Sequence, residues 1–233
     1  MTGGGEQLTL SVAVPPRSRV SRLRLMEPSD GTGPFDDPDY LFEPWWPGAR
    51  MLVEAGPGGI DVRCRQLVDP LPAFPELREI PALLAVREAL IDGVLLVLDG
   101  EGRPDAGLLR ARLTEAVVRP GGVRPGTPAF VALDLLRLDA RSLAGRSFAE
   151  RRARLVDALR PSDWCAVSRG VVGDGHALAE AAASLGFEAI SARLLLAHYR
   201  GGPADDAWLR LPVTATRAER MPPFLAVFRS LPL

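Results

Sequence analysis

Apolar and polar residues alternate along this chain with two periods, and the two-residue period of a strand dominates. Residues 8–14 (LTLSVAV) alternate like a half-buried strand, which Pro15 and Pro16 close. Residues 29–39, rich in Gly, Pro and Asp, read as a loop. Residues 51–54 and 60–65 form a strand pair joined through residues 56–59 (GPGG), which predicts a hairpin. Residues 91–98 (IDGVLLVL) form a buried strand and residues 130–136 another. Residues 165–169, 188–197, 208–213 and 224–229 complete the strand set.

The longer period appears in four places. In residues 75–90, Leu77, Ile80, Leu83, Leu84 and Val86 cover one face of an amphipathic helix that Pro81 is placed to kink. Residues 105–117 predict a second helix, followed by a Pro/Gly-rich connection over residues 120–128. Ser147 with Glu150 forms a capping box for a third, running to about Leu159 before Pro161. Residues 175–185 are alanine-rich, with Gly186 placed to stop them. Strands outnumber helices, and several connections are too short for crossovers. The pattern therefore predicts an α+β fold of antiparallel-rich sheets packed with helices.

At 233 residues and 47% hydrophobic, the chain can bury the core of one large domain, with at most a small appendage. Its 28 basic groups against 29 acidic ones exclude a strong overall positive field toward nucleic acid and leave only local basic faces. All 28 basic residues are arginine; there is no lysine. Arginine stays protonated and grips phosphate as a rigid fork, but it does not serve as an amine nucleophile. Cys64 and Cys165 lie far apart, with no CxxC or histidine spacing, so neither a disulfide framework nor a zinc site is indicated. With no basic n-region and no run near ~18 apolar residues, the chain reads as soluble and cytoplasmic, without a membrane partner.

The most informative stretch is residues 40–50, YLFEPWWPGAR. It resembles the E-P-K-x-D-G-x-R motif that opens the adenylation domain of ATP-dependent DNA ligases. Further segments follow in that family's order: residues 74–84 (FPELREIPALL), 91–109 (IDGVLLVLDGEGRPDAGLL), 133–155 (LDLLRLDARSLAGRSFAERRARL), 185–202 (LGFEAISARLLLAHYRGG) and 208–212 (WLRLP). The resemblance covers residues 27–213 and implies the ligase adenylation-domain architecture, which is ATP-grasp-like. It leaves residues 1–26 as an N-terminal strand and linker, and residues 214–233 as a tail. Five strands do not fit in about twenty residues, so no C-terminal oligonucleotide-binding barrel is expected there.

What the resemblance implies about chemistry turns on the departures. The family's nucleophile is a lysine whose amine attacks the α-phosphate of ATP; Trp45 stands at that position, and an indole cannot do this. The aspartate that follows in the family corresponds to Pro47. Glu43 and Arg50 match the residues that contact base and ribose, and Arg65 matches the arginine of the R-S-R-N-G strand. Leu133 replaces the ring that stacks on adenine. Of the two glutamates that support the metal, Glu188 is the only retained candidate, because Val94 replaces the other. Arg193 and Arg210 match phosphate-neutralising lysines, and Pro212 replaces a third.

Each retained residue has an ordinary alternative, the arginines as exposed strand positions and Glu188 as a solvated strand end. Trp45 and Trp46 read as core or interface aromatics, with Trp45 in the space of the lysine chain, and His176 as a surface residue.

The expected function is a ligase-like pseudoenzyme unable to self-adenylate. It would be a binding or scaffolding subunit in DNA repair, with an unidentified protein partner, weak or absent DNA binding, and no required cofactor. Two alternatives stay open. One is a sensor that binds ATP or AMP non-covalently, with or without Mg²⁺. The other is an active ligase or nucleotidyltransferase with an unconventional nucleophile such as His198.

Overall fold

The computed structural model describes residues 23–67, 69–118, 125–214 and 221–231. The strand expected at residues 8–14 lies outside them. In chain order the strands are β1 (Met26–Glu27), β2 (Ser29–Asp30), β3 (Asp37–Pro44), β4 (Ala49–Gly56), β5 (Gly59–Cys64), β6 (Ala89–Leu98), β7 (Thr127–Leu138), β8 (Arg141–Ser142), β9 (Cys165–Val167), β10 (Val171–Gly173), β11 (Ala189–Leu194), β12 (Gly202–Pro203) and β13 (Trp208–Pro212). The helices are α1 (Ile80–Leu83), α2 (Ala106–Val118), α3 (Phe148–Ala158), α4 (Gly175–Ser184) and α5 (Phe224–Ser230).

Two sheets carry the site. One runs β5-β4-β6-β7-β8, with β9 added parallel to β7; the other runs β10-β3-β11-β13-β2. Apart from the short parallel pairs β7/β9, β13/β2 and β1/β12, neighbouring strands are antiparallel. The fold is thus the antiparallel-rich α+β arrangement expected from the pattern.

β6 explains the apolar run at its centre. All ten of its residues are buried, because successive side chains point to opposite faces and both faces are covered. Leu90, Val94 and Leu96 join one core, shared with the second sheet, α4 and α5. Ile91, Leu95 and Val97 join the other, with Phe74, Leu77, Ile80 and Leu155. Gly93 is required by close approach, since a Cβ there would lie 2.4 Å from Phe130 Cζ and 2.6 Å from the Val131 carbonyl.

The helix ends follow local chemistry. Ser147 Oγ accepts the Glu150 N–H at 3.2 Å and starts α3. α4 stops at Gly186, whose φ of +82° lets its N–H reach the Ala183 carbonyl while Phe187 N–H reaches Ala182. The hairpin of residues 51–65 forms as β4 and β5.

Three expectations are corrected. The helix over residues 75–90 is a 3₁₀ turn (Pro75–Glu79) and one turn of α-helix. Leu84 is then extended, bridges Leu159, and hands Ala85 N–H to the Ala158 carbonyl, so tertiary backbone pairing overrides the helical spacing. The loop expected over residues 29–39 contains β2 and the start of β3. The strand expected at residues 224–229 is the helix α5. Phe224, Val227 and Phe228 fall at i, i+3 and i+4 and bury one face. Both cysteines are free and buried. Among the described residues no helix is long and apolar enough to cross a membrane.

Candidate functional site

A cleft of about 470 Å³ separates the two sheets, within the range of small-molecule sites. Strand register decides which side chains reach it. On one wall Glu43 of β3 pairs with Ser191 of β11, while Arg193 of β11 pairs with Trp208 of β13. On the other, Arg50 of β4 stands opposite Val94 of β6. Of the residues singled out from sequence, Glu43, Trp45, Arg50, Arg65, Leu133 and Arg193 border the cleft. Glu188 and Arg210 do not. Glu188 is exposed just before β11, five residues from Arg193, and an odd separation on an extended strand favours opposite faces.

Trp45 N–H donates to the Ala189 carbonyl at 3.0 Å, so β3 stays paired up to the aromatic pair. The Trp45 ring lies 6.4 Å from Trp208, with the Arg210 guanidinium 5.6 Å from its centre. Trp46 is buried, stacked on Phe228 at 5.1 Å, and its indole N–H donates to Ser168 Oγ at 3.3 Å. Gly48 follows where a Cβ would lie 2.4 Å from the Leu95 carbonyl and 2.5 Å from Val94 Cγ1.

Two of the cleft's arginines, Arg50 and Arg193, are bonded to buried carboxylates. Arg50 grips Asp92 as a fork, Nε to Oδ1 at 2.8 Å and Nη2 to Oδ2 at 2.5 Å, and its Nη1 donates to the Met26 carbonyl at 2.6 Å. Burial works against the Arg50 charge, but Asp92 outweighs it and the net shift of its pKa is upward. Tyr199 O–H also donates to Asp92 Oδ2 at 3.1 Å, and burial pushes the Tyr199 phenol up. Arg193 donates to Asp134 Oδ2 at 2.6 Å, and Arg151 holds the same carboxylate at 2.8 and 2.9 Å.

At the mouth Arg65 pairs with Glu27 at 2.8 Å, and Arg210 lies 4.0 Å from Asp30. Trp208 lies between two guanidiniums, Arg50 at 4.3 Å and Arg193 at 4.5 Å from its ring centre. Its N–H donates to Ser191 Oγ at 2.7 Å.

Glu43 is buried, with Oε1 lacking a hydrogen bond and lying 3.5 Å from Arg152 Nη2. Burial raises its carboxyl pKa, and the opposing pull of Arg152 and Arg193 does not cancel this.

A nucleotide with its divalent metal, as the resemblance implies, does not fit these donors. The residue opposite Arg50 is the apolar Val94, and Glu188 lies outside the cleft. Asp92 is occupied by Arg50 and Tyr199, and Arg193, the cleft arginine matched to a phosphate-neutralising lysine, is already held by the buried Asp134.

Asp92, Asp134 and Trp208 organise the site and were not singled out from sequence. Both aspartates carried a readable signal, a lone acid inside an apolar strand, which needs a buried cation partner.

No family model matches this chain. It is 30% identical over 171 residues to the multifunctional non-homologous end joining DNA repair protein LigD of Mycobacterium tuberculosis, a match that takes in 73% of this chain and 21% of that protein. A probable DNA ligase of Kineococcus radiotolerans is 34% identical over 167 residues, covering 70% of this chain and 32% of that one. The chain thus spans about a fifth to a third of the length of these curated relatives. The crystal structure of the ligase domain from M. tuberculosis LigD superposes with a TM-score of 0.66 at 28% identity, over 81% of this chain and 58% of that one. Mycobacterial DNA ligase D complexed with ATP and MES gives 0.63 at 28% identity, over 82% and 60%.

Proposed function

This chain is homologous to the ligase domain of LigD and to ATP-dependent DNA ligases, and from that premise we propose that it is a pseudoenzyme, a ligase-like adenylation domain that does not self-adenylate. It acts instead as a binding or scaffolding subunit in DNA repair. The observation that carries this reading is Trp45, an indole bordering the cleft at the position that the motif resemblance gives to the family's nucleophilic lysine, in a chain without any lysine. The buried pairing of Arg50 with Asp92 and of Arg193 with Asp134 supports it, because a nucleotide would have to displace a carboxylate at each. Intact-mass spectrometry after incubation with ATP and Mg²⁺ tests it. The expected spectrum is that of the unmodified chain, and an AMP adduct overturns the proposal.

A second reading, non-covalent sensing of ATP or AMP, is favoured by the cleft itself, about 470 Å³ and bordered by Glu43, Arg50 and Arg193. Calorimetric titration with ATP and Mg²⁺ separates the two. The scaffold reading expects no heat, and saturable heat without an adduct selects the sensor.

A further inference from the structure

A second concavity, of about 840 Å³, lies between α3 and α5 and includes residues of β9 and β10. Val156, Val172 and Leu225 line it, and these are three of the four large apolar side chains that stand exposed among the described residues. Single exposed aliphatics are ordinary, but three converging on one hollow mark an interaction surface. The hollow is also one-sided in charge. Arg152, Arg169 and Arg229 line it, with no Asp or Glu among the described lining residues.

Some arginines elsewhere pair closely with acids, as Arg112 does with Glu76 and Arg137 with Glu54, but the outer arginines of the hollow do not. Arg169 donates one N–H to the Phe228 carbonyl at 2.6 Å, and neither it nor Arg229 meets a carboxylate among the described residues. Arg152 donates Nη2 to the Ser168 carbonyl and lies 3.5 Å from Glu43 Oε1, so the uncompensated charge of the hollow is that of Arg169 and Arg229.

We propose that this groove docks a peptide segment of a partner protein in which apolar side chains are flanked by carboxylates. The apolar side chains would cover Val156, Val172 and Leu225, and the carboxylates would meet Arg169 and Arg229. Charge chooses among occupants. The chain's own residues 15–24 (PPRSRVSRLR) carry four arginines and would repel the groove. A nucleic-acid strand finds apolar walls and no exposed ring to stack on, since Phe228 is buried.

The test is selection of a random short-peptide library displayed on phage against the full chain, followed by fluorescence polarisation with the selected peptides. Selected peptides are expected to be enriched in Asp and Glu beside Leu, Ile or Phe. Val172→Asp and Arg229→Glu, both at exposed positions with an unchanged melting profile, are each expected to weaken them by roughly tenfold or more. Exchanging Glu for Lys in the peptide is expected to restore part of its binding to Arg229→Glu. Four results would each overturn the proposal: selection without acidic enrichment, affinities indifferent to both variants, tighter binding of oligothymidylate, or self-association of the chain that Arg229→Glu abolishes. Neither position borders the cleft between the sheets, so the outcome is independent of whether ATP binds there.

Discussion

Asp134 holds two guanidiniums at once, and all three side chains are almost completely buried. Removing the carboxylate strands two charges in a low-dielectric interior. Asp134→Asn is therefore expected to cost about 3–5 kcal/mol, a large part of a typical domain's stability, read as a shift of the urea midpoint at neutral pH. The sign with pH follows. Burial alone would raise the Asp134 carboxyl, but Arg193 and Arg151 more than reverse this and hold it below its ordinary value of 3.8. Its contribution is present above that value and is lost as pH falls through the lower folded-state value. The wild type should thus lose stability below pH 3.8 more steeply than Asp134→Asn does in parallel melts.

Trp45→Lys makes the opposite kind of test, supplying an amine while leaving Val94 opposite Arg50 and Glu188 outside the cleft. No AMP adduct is expected by intact mass with ATP and Mg²⁺, and an adduct would make the amine the only missing part. At this scale Trp45, Glu43 and Arg50 were legible because they fall within one short motif. The pairings of Arg50 with Asp92 and of Arg193 with Asp134 were not, because the partners stand 42 and 59 residues apart.

Among the elements, α5 is too short to persist on its own, and its order comes from the aromatic cluster it completes. Phe228 stacks on Trp46 at an interplanar angle of 11°, and Phe224 meets Phe228 edge-on at 4.8 Å. Phe228→Ala is expected to cost about 3–5 kcal/mol of packing and to speed amide exchange in α5 well ahead of β6, measured by hydrogen–deuterium exchange.

The same helix shows where periodicity runs out. The sequence FLAVFR holds aromatic and β-branched residues as a strand does, and the i, i+3, i+4 face becomes decisive only against the wall that Trp46 and Phe187 provide. Residues 75–90 fail the other way, with helical spacing interrupted by backbone bonds from Ala85 and Arg160 across to Ala158 and Leu83. β4, β5, α3 and α4 were legible because turn, cap and stop residues sit beside them in sequence.

For the whole molecule, the antiparallel-rich α+β character was legible from strand count and connection length, and the division into two main sheets was not. The cleft between them was legible only through the ordered motifs, since composition says nothing of which faces meet. Net charge bears on partners at this scale. With 28 arginines against 29 acids, and several of those arginines turned inward to carboxylates, few counterions are released on a phosphate backbone. Titration of nicked duplex DNA at low and physiological salt is expected to give weak affinity with a shallow salt slope. Tight binding that falls steeply with salt would contradict it.

The bond set around Arg50 reaches further than its own strand. One guanidinium joins β4 to Asp92 of β6 and to the Met26 carbonyl of β1, and Asp92 in turn receives Tyr199 from the chain before β12. That guanidinium is mortar among three distant stretches of the polypeptide. On the proposed reading, any lineage regaining catalysis from this sequence would first have to loosen its own walls, which makes the change a ratchet rather than a hinge.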